Sequence, residues 1–262
     1  MPKAGQIFER VLLTNDDGFD APGLRVLEQV AATLAREVWV VAPEHDQSGT
    51  SHSLSLHDSL RVSRKSERRF AVRGTPGDCV VLGVRHLMSG GLPEMIFSGV
   101  NRGANLGVET VFSGTVGAAM TGMLLGVPSI ALSQAFSDRN AVPWETARTL
   151  APEIIRRLSV MDWQRNTCLN INFPDCPADR TGPLTLTCQG AGLLDGVDVV
   201  SRSDPRAIDY HWLQLSRSLR QDAEGTEAAA VAAGCISVTP LRFERTHAEA
   251  LAEMRMALAS TE

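Results

Sequence analysis

Arg10-Val11-Leu12-Leu13-Thr14-Asn15-Asp16-Asp17-Gly18 is a short apolar run that stops at two adjacent carboxylates and a glycine. A run of this length and composition reads as a buried strand, with Asp16 and Asp17 at its carboxyl end. Ligands of open α/β sheets bind at such ends. Two carboxylates side by side in apolar surroundings repel and resist ionisation, and a bound cation removes that conflict. Gly18 permits the sharp turn that brings both side chains to one point. The same residues also read as an ordinary turn closed by a helix cap. The remaining sequence decides between the two.

Working outward from this run, strand and helix patterns alternate. Residues 10–14 read as a strand and 22–36 as a helix, with Leu24, Leu27, Val30, Ala31 and Leu34 on one face and Pro22 at an early helical position. Strand 37–42, hairpin 58–73, helix 76–88, strand 95–98, helix 115–125 and strand 128–132 follow. The alternation predicts an α/β fold: a Rossmann-like parallel sheet with right-handed crossovers and helices on both faces. Beyond it, 144–158 reads as a helix disturbed by Pro152, and 168–173 and 184–188 as strands. The pattern weakens over 190–234, which reads as a β-rich arm or hairpin of the kind that crosses to another subunit. A terminal helix begins at a capping box over Thr246 and Glu249 and carries Ala248, Leu251, Met254 and Leu258 as a stripe. The division expected is a catalytic core over 1–135, then sheet completion, arm and helix over 136–262, together forming one domain.

Composition sets the class. The 262 residues, 44% hydrophobic and 21% charged, are enough for one large globular core. A net charge of -5 argues against nucleic-acid binding through a basic surface, and the basic run 61–69, interrupted by Glu67, reads as a solvated hairpin. The cysteines are odd in number and form no C-x-x-C pair, which predicts buried free thiols in a reducing compartment. There is no apolar run of membrane-spanning length, and the N-terminus lacks an apolar signal core. The expectation is a cytoplasmic protein with no stable nucleic-acid or membrane partner.

Two further loops carry chemistry. Pro43-Glu44-His45-Asp46-Gln47-Ser48-Gly49 follows the second strand and so lies at the same sheet edge as Asp16; it reads either as a polar loop or as the source of a hydroxyl ligand, Ser48. Ser98-Gly99-Val100-Asn101-Arg102-Gly103-Ala104-Asn105-Leu106-Gly107 follows the third parallel strand, and its glycines let backbone N–H groups approach a ligand. Ser113-Gly114-Thr115 then opens a small-residue helix whose N-terminus suits a phosphate. Asp16, Asp17, Ser48 and Asn101 offer oxygen only, which favours Mg²⁺ or Mn²⁺ over zinc. A hard cation beside a phosphate-binding helix start points to metal-assisted phosphoryl hydrolysis.

Other chemistries lack their signatures. The chain has no P-loop and no G-x-S-x-G elbow, and Gly190 to Gly196 has the wrong spacing and setting for a dinucleotide fingerprint. The six histidines show no metal-ligand spacing, although His45 and His52 flank Ser48.

With these segments in place the chain resembles the SurE family. Matching stretches include Thr14-Asn15-Asp16-Asp17-Gly18, Ala21-Pro22-Gly23, Gln47-Ser48-Gly49, Gly74-Thr75-Pro76, Ser98-Gly99-Val100-Asn101, Asn105-Leu106-Gly107, Ser113-Gly114-Thr115-Val116 and Ser237-Val238-Thr239-Pro240-Leu241. The resemblance implies a metal-dependent 5′-/3′-nucleotidase with some action on short polyphosphate. It implies one divalent cation per subunit on Asp16, Asp17, Ser48 and Asn101, and phosphate contacts from Asn105, Ser113, Gly114 and Thr115. It also implies a homodimer or homotetramer that exchanges arms. Phe112 stands where an aromatic hydroxyl is usual, and Gly225-Thr226-Glu227 stands for the family's Gly-Thr-Asp.

The expected reaction is in-line attack by metal-activated water, with Asp16 or Asp17 holding or deprotonating that water; a covalent aspartyl-phosphate ranks lower. Two other classes stay open. One is a non-catalytic nucleotide-binding sensor that keeps the pocket without turnover. The other is a Rossmann-like transferase or oxidoreductase, against which the missing fingerprint counts.

Overall fold

The computed structural model describes residues 5–162, 166–217 and 222–259. The strands are β1 (Phe8–Thr14), β2 (Ala35–Pro43), β3 (Arg61–Ser66), β4 (Arg69–Arg73), β5 (Met95–Arg102), β6 (Ser129–Gln134), β7 (Cys168–Phe173), β8 (Leu184–Leu186), β9 (Leu194–Ser203), β10 (Asp209–Arg217) and β11 (Ile236–Leu241). The helices are α1 (Pro22–Leu34), α2 (Pro76–Leu82), α3 (Gly114–Leu124), α4 (Trp144–Ser159), α5 (Glu227–Ala232) and α6 (Ala248–Ala259).

One nine-stranded sheet organises the chain, in the order β3-β4-β2-β1-β5-β6-β7-β11-β8. Its centre is parallel, as the alternation predicts. Its flanks are not. β3 pairs antiparallel with β4, and β11 antiparallel with β7. Hydrogen bonding runs without a break from β6 to β7, so one sheet spans both sides of residue 135.

Strand alternation divides the core. Val11 and Leu13 of β1 face α1 and α4 in a cluster with Leu24, Leu27, Leu34, Ile155 and Leu158. Leu12 faces the other way, into Val41, Cys79, Val80 and Ala118 under α2 and α3. Full burial of each such aliphatic side chain contributes about 1.5–3 kcal/mol. α2 starts with Thr75 and Asp78 in a reciprocal capping box and runs into a π-helical segment, Gly83–Leu87. Pro152 is accommodated within α4, which continues to Ser159.

α3 differs from the amphipathic helices because Gly114 through Met123 are all buried. The small residues explain how. A Cβ on Gly117 would overlap the Ser51 carbonyl, and one on Gly122 would overlap Ser129 Oγ. The helix therefore lies closer to its surroundings than larger side chains would allow.

Within 190–234 the described residues form the two-stranded hairpin β9–β10 and the short α5, and residues 218–221 of the expected arm lie outside the described residues. The hairpin exposes Val199, Trp212 and Leu213. α6 has no buried residue, so its predicted stripe stays exposed, and its first turn is capped differently from expectation: the Ala250 N–H donates to His247 Nδ1 at 3.0 Å. Cys79 and Cys168 are buried, whereas Cys176 and Cys235 are half-buried and Cys188 is exposed, so burial holds for two of the free thiols rather than for most. No helix among the described residues is long and apolar enough to cross a membrane.

A Cβ on Gly23 would overlap the Val100 carbonyl oxygen. The start of α1 thus packs directly on the backbone beside Asn101. Gly23→Ala is expected to destabilise the protein by about 1–3 kcal/mol, the usual cost of overpacking. Urea unfolding should show a lower midpoint at constant slope; an unchanged midpoint would refute this close approach.

Candidate active site

Asp16 and Asp17 leave the tip of β1, where three loops converge on them. Register puts Thr14 of β1 level with Ser98 of β5, where the pairing of these two strands stops while β5 continues to Arg102. The β1 turn is closed by Asn15 Nδ2 donating to the Gly18 carbonyl at 2.8 Å, with Gly18 at φ +102°. It is stitched to the loop after β2 by Phe19 N–H to Pro43 O at 2.7 Å and Gln47 N–H to Asp16 O at 2.7 Å. In that second loop Ser48 is exposed, and Asp46 Oδ1 accepts from its amide at 2.8 Å and from its hydroxyl at 2.6 Å.

The third loop depends on a bulge. β5 pairs with β6 at Ser98↔Ala131 and again at Asn101↔Ser133, so one extra residue is accommodated on the β5 side. Gly99 lies within it at φ +133°, where a Cβ would overlap the Leu132 carbonyl, and the Gly99–Val100 peptide is cis. A bulge re-aims the residues that follow it. Here it delivers the Arg102 N–H to Asp17 Oδ2 at 3.0 Å. The half-buried Asn101 donates its amide nitrogen to the Gly103 carbonyl at 2.8 Å, which leaves its side-chain oxygen for a cation.

Asp16 is only 4% exposed and abuts the start of α3. A Cβ on Gly114 would sit 2.8 Å from Asp16 Cβ and 2.9 Å from its Oδ2. The Thr115 hydroxyl donates to Asp16 Oδ1. Burial raises the Asp16 carboxyl to about 7; the Thr115 hydrogen bond opposes this and the Asp17 charge adds to it. Asp17 is also raised by burial, opposed by the amide and charge of Arg102 and by Arg139, and reinforced by Asp46.

The remaining predicted residues organise the surroundings. Ser113 caps α3, its Oγ accepting from the Val116 N–H at 3.1 Å, which leaves the hydroxyl proton available to an anion. Asn105 is buried and pins its loop to β6 and β7. Its amide nitrogen donates to Ser133 Oγ at 2.8 Å, its N–H to Asn172 Oδ1 at 2.8 Å, and its carbonyl accepts from Asn170 at 2.9 Å and Asn172 at 3.1 Å. Its side-chain nitrogen is therefore engaged, and only its oxygen side stays open. His45 borders the cleft, whereas His52 turns away to Met120 Sδ at 3.0 Å and to the Phe243 ring.

The donor set fits a hard cation. Asp16 is buried beside a second carboxylate with no ion pair among the described residues, and Asn15 Oδ1 at the same tip is buried without a hydrogen-bond partner. The candidate set is two carboxylates plus neutral oxygens, and no group of three or more His, Cys, Asp and Glu that could hold a metal occurs among the described residues. Asp17 and Arg102 line a cavity of about 400 Å³ with Phe19, Asp20, His45 and Trp144. Arg102 also borders a second cavity of about 390 Å³ with Gly103, Phe136 and Arg217.

Sequence reasoning missed Arg102, Arg139, Asp46 and the Thr115–Asp16 bond. Asp46 had a readable signal, since Asp two residues before a Ser amide is an Asx-turn. Arg102 had none, because its amide reaches Asp17 only through the bulge.

The family model described as Survival protein SurE matches residues 11–194. The chain is 64% identical over 258 residues to 5′-nucleotidase SurE 1 of Burkholderia lata, spanning 98% of this chain and 100% of that one. It is 48% identical over 252 residues to 5′-nucleotidase SurE of Methylocella silvestris, spanning 95% and 99%. The solved structure of the SurE protein from Aquifex aeolicus superposes with a TM-score of 0.80 at 32% identity, covering 95% of this chain and 99% of that chain. The chain belongs to the SurE family.

Proposed function

We propose that this protein is a phosphomonoester hydrolase that removes phosphate from nucleoside 5′-monophosphates, with 3′-monophosphates and short polyphosphate as further substrates. It uses Mg²⁺ or Mn²⁺, one per subunit, on Asp16, Asp17, Ser48 and Asn101. Relatives named 5′-nucleotidases, at up to 64% identity, support the enzyme class. The observation that carries the reading is the buried Asp16 carboxylate seated against Gly114 and Thr115, which joins a cation-binding carboxylate to an anion-binding helix start.

The bound cation would neutralise phosphate charge and lower the pKa of water. The chain's own residues do the rest. Thr115 and Gly114 fix the orientation of Asp16. The Ser113 hydroxyl and the positive end of α3 hold the phosphate. Asp17 lines the open cavity and is assigned the proton-accepting role toward the attacking water. Arg102 and Arg139 supply positive charge beside it. The sensor alternative shares this pocket and differs only in turnover.

Assembly and setting belong to the same proposal. Trp212 at 63% and Leu213 at 75% exposure, with the uncovered α6, support a homodimer or homotetramer built through the hairpin and the terminal helix. The free cysteines support a reducing, cytoplasmic setting.

Purified protein is expected to release phosphate from nucleoside monophosphates with Mg²⁺ or Mn²⁺, to stop with EDTA and to recover when either ion is restored. Binding of nucleotide without phosphate release under all these conditions would establish the sensor instead.

Asp16→Asn and Asp17→Asn are each expected to lower kcat/KM by more than about a hundredfold, because partners outside the ligand shell alone cost 10–100-fold. Stability should move the other way. The Asp16 carboxyl stands at about 7 in the fold against an ordinary 3.8, so the folded state holds the proton more tightly. Its contribution is fully present below the ordinary value and is lost as pH rises through about 7. In cation-free buffer at pH 8, Asp16→Asn should therefore match or exceed the wild-type melting temperature. A clear loss of Tm there would contradict the cost of ionising the buried Asp16 carboxyl.

Thr115→Ala removes one hydrogen bond to a charged group, worth roughly 1.5–3 kcal/mol, and is expected to lower kcat/KM about ten- to hundredfold. Because the hydroxyl reaches Asp16 itself, cation affinity measured by calorimetry should fall as well. An unchanged affinity would mean that Thr115 serves the phosphate alone.

A further inference from the structure

Glu227 is fully buried, at 0% exposure, away from the carboxylate pair. Its Oε1 accepts from the Gly107 N–H at 2.8 Å and its Oε2 from the Gly190 N–H at 2.9 Å. Its own N–H donates to the Cys188 carbonyl at 3.2 Å. One side chain thus ties together three segments far apart in sequence: the loop after β5, the approach to the hairpin, and α5. Gly107 has φ +55°, and a Cβ there would overlap Gly192, so the two loops touch backbone to backbone. The same seam is reinforced by Gln189 Nε2, which donates to Gly107 O at 2.8 Å and Thr110 Oγ1 at 2.7 Å, and by the Arg217–Glu109 ion pair at 2.9 Å.

What Gly107 carries gives the tie its meaning. It opens the 3₁₀ turn Gly107–Val111. Asn105 stands upstream, separated from it by Leu106, and Phe112 and the α3 cap Ser113 follow the turn directly. We propose that Glu227 is a positioning residue for the phosphate cradle. Its carboxylate holds the Gly107 turn against the root of the hairpin, and so sets the spacing between Asn105 and Ser113-Gly114-Thr115. This rests on the phosphohydrolase reading. A carboxylate suits the task because it is acceptor-only and can meet two N–H groups at once. A glutamine of the same shape accepts with one atom and turns its amide hydrogens on the other N–H. Of the proposed cation ligands, Asp16, Asp17 and Ser48 sit on other loops and Asn101 lies within β5 ahead of the turn, so the tie should affect phosphate handling more than cation binding.

The test compares wild type with Glu227→Gln in three measurements: steady-state hydrolysis of a nucleoside monophosphate with Mn²⁺, calorimetric titration with Mn²⁺ alone, and inhibition by inorganic phosphate. The variant is expected to bind Mn²⁺ within about twofold of wild type. Its kcat/KM should fall about ten- to hundredfold, the range for small misplacement of a positioned group, and phosphate should inhibit more weakly. Unchanged kinetics overturn the inference. So does a parallel loss of Mn²⁺ affinity and activity, which marks general loosening. If Glu227→Gln does not fold, Gln189→Ala cuts the neighbouring tie to Gly107 and is read by the same criteria, with a smaller fall expected. A wild type that releases no phosphate overturns the hydrolase reading and this inference with it; an active wild type with an unchanged variant overturns the inference alone.

Discussion

The contact between the Asp16 carboxylate and the first residues of α3 is the constraint on which the rest of the structure depends. A carboxylate buried in protein is costly to ionise, and here the nearest relief is the hydroxyl of Thr115 and the positive end of a helix. That relief requires the helix to come very close. It can do so only because Gly114 lacks a side chain at the contact and because Gly117 and Gly122 let α3 sink against Ser51 and Ser129. The buried, small-residue character of α3 is thus a condition of the site as well as a feature of the core.

A second constraint acts through the sheet edge. The pairing of β1 with β5 stops at Thr14 and Ser98, and the extra residue accommodated between Ser98 and Asn101 then carries the Arg102 amide to Asp17. Asp17 then faces an open cavity while Asp16 is enclosed. Two neighbouring carboxylates of identical chemistry acquire different surroundings because different elements meet them: α3 reaches Asp16 through the Thr115 hydroxyl, and the bulged end of β5 reaches Asp17 through the Arg102 amide. One is held toward the helix start, and the other toward solvent and positive charge.

The C-terminal half enters the site indirectly. β7 supplies Asn170 and Asn172 to the Asn105 carbonyl, and α5 supplies Glu227 to Gly107. Neither contributes a proposed cation ligand. Both restrain the loop between β5 and α3, which has to keep its course although it contains no long regular element of its own. The hairpin grows from this restrained region and exposes its apolar residues outward.

Much of this was legible in the sequence. Local period and punctuation identify β1, α1, β2, α4 and β7 to within a few residues, because an apolar repeat and a proline or glycine boundary act over a few neighbours. The doubled carboxylate after an apolar strand, the Asn- and Gly-rich loop and the Ser-Gly-Thr before a small-residue helix also stand in the chain as written, and they mark the same sheet edge. What only the tertiary structure decided depends on atoms far apart in sequence. Nothing near Thr115 states that its hydroxyl meets Asp16, and nothing near Glu227 states that it meets Gly107 and Gly190. The antiparallel return of β11 onto β7 and the bulge that aims Arg102 are likewise set by how strands dock. Sequence determines which residues are available and which local element carries them; packing decides which oxygen faces which hydrogen, because that depends on distances closed only when the sheet and its helices assemble.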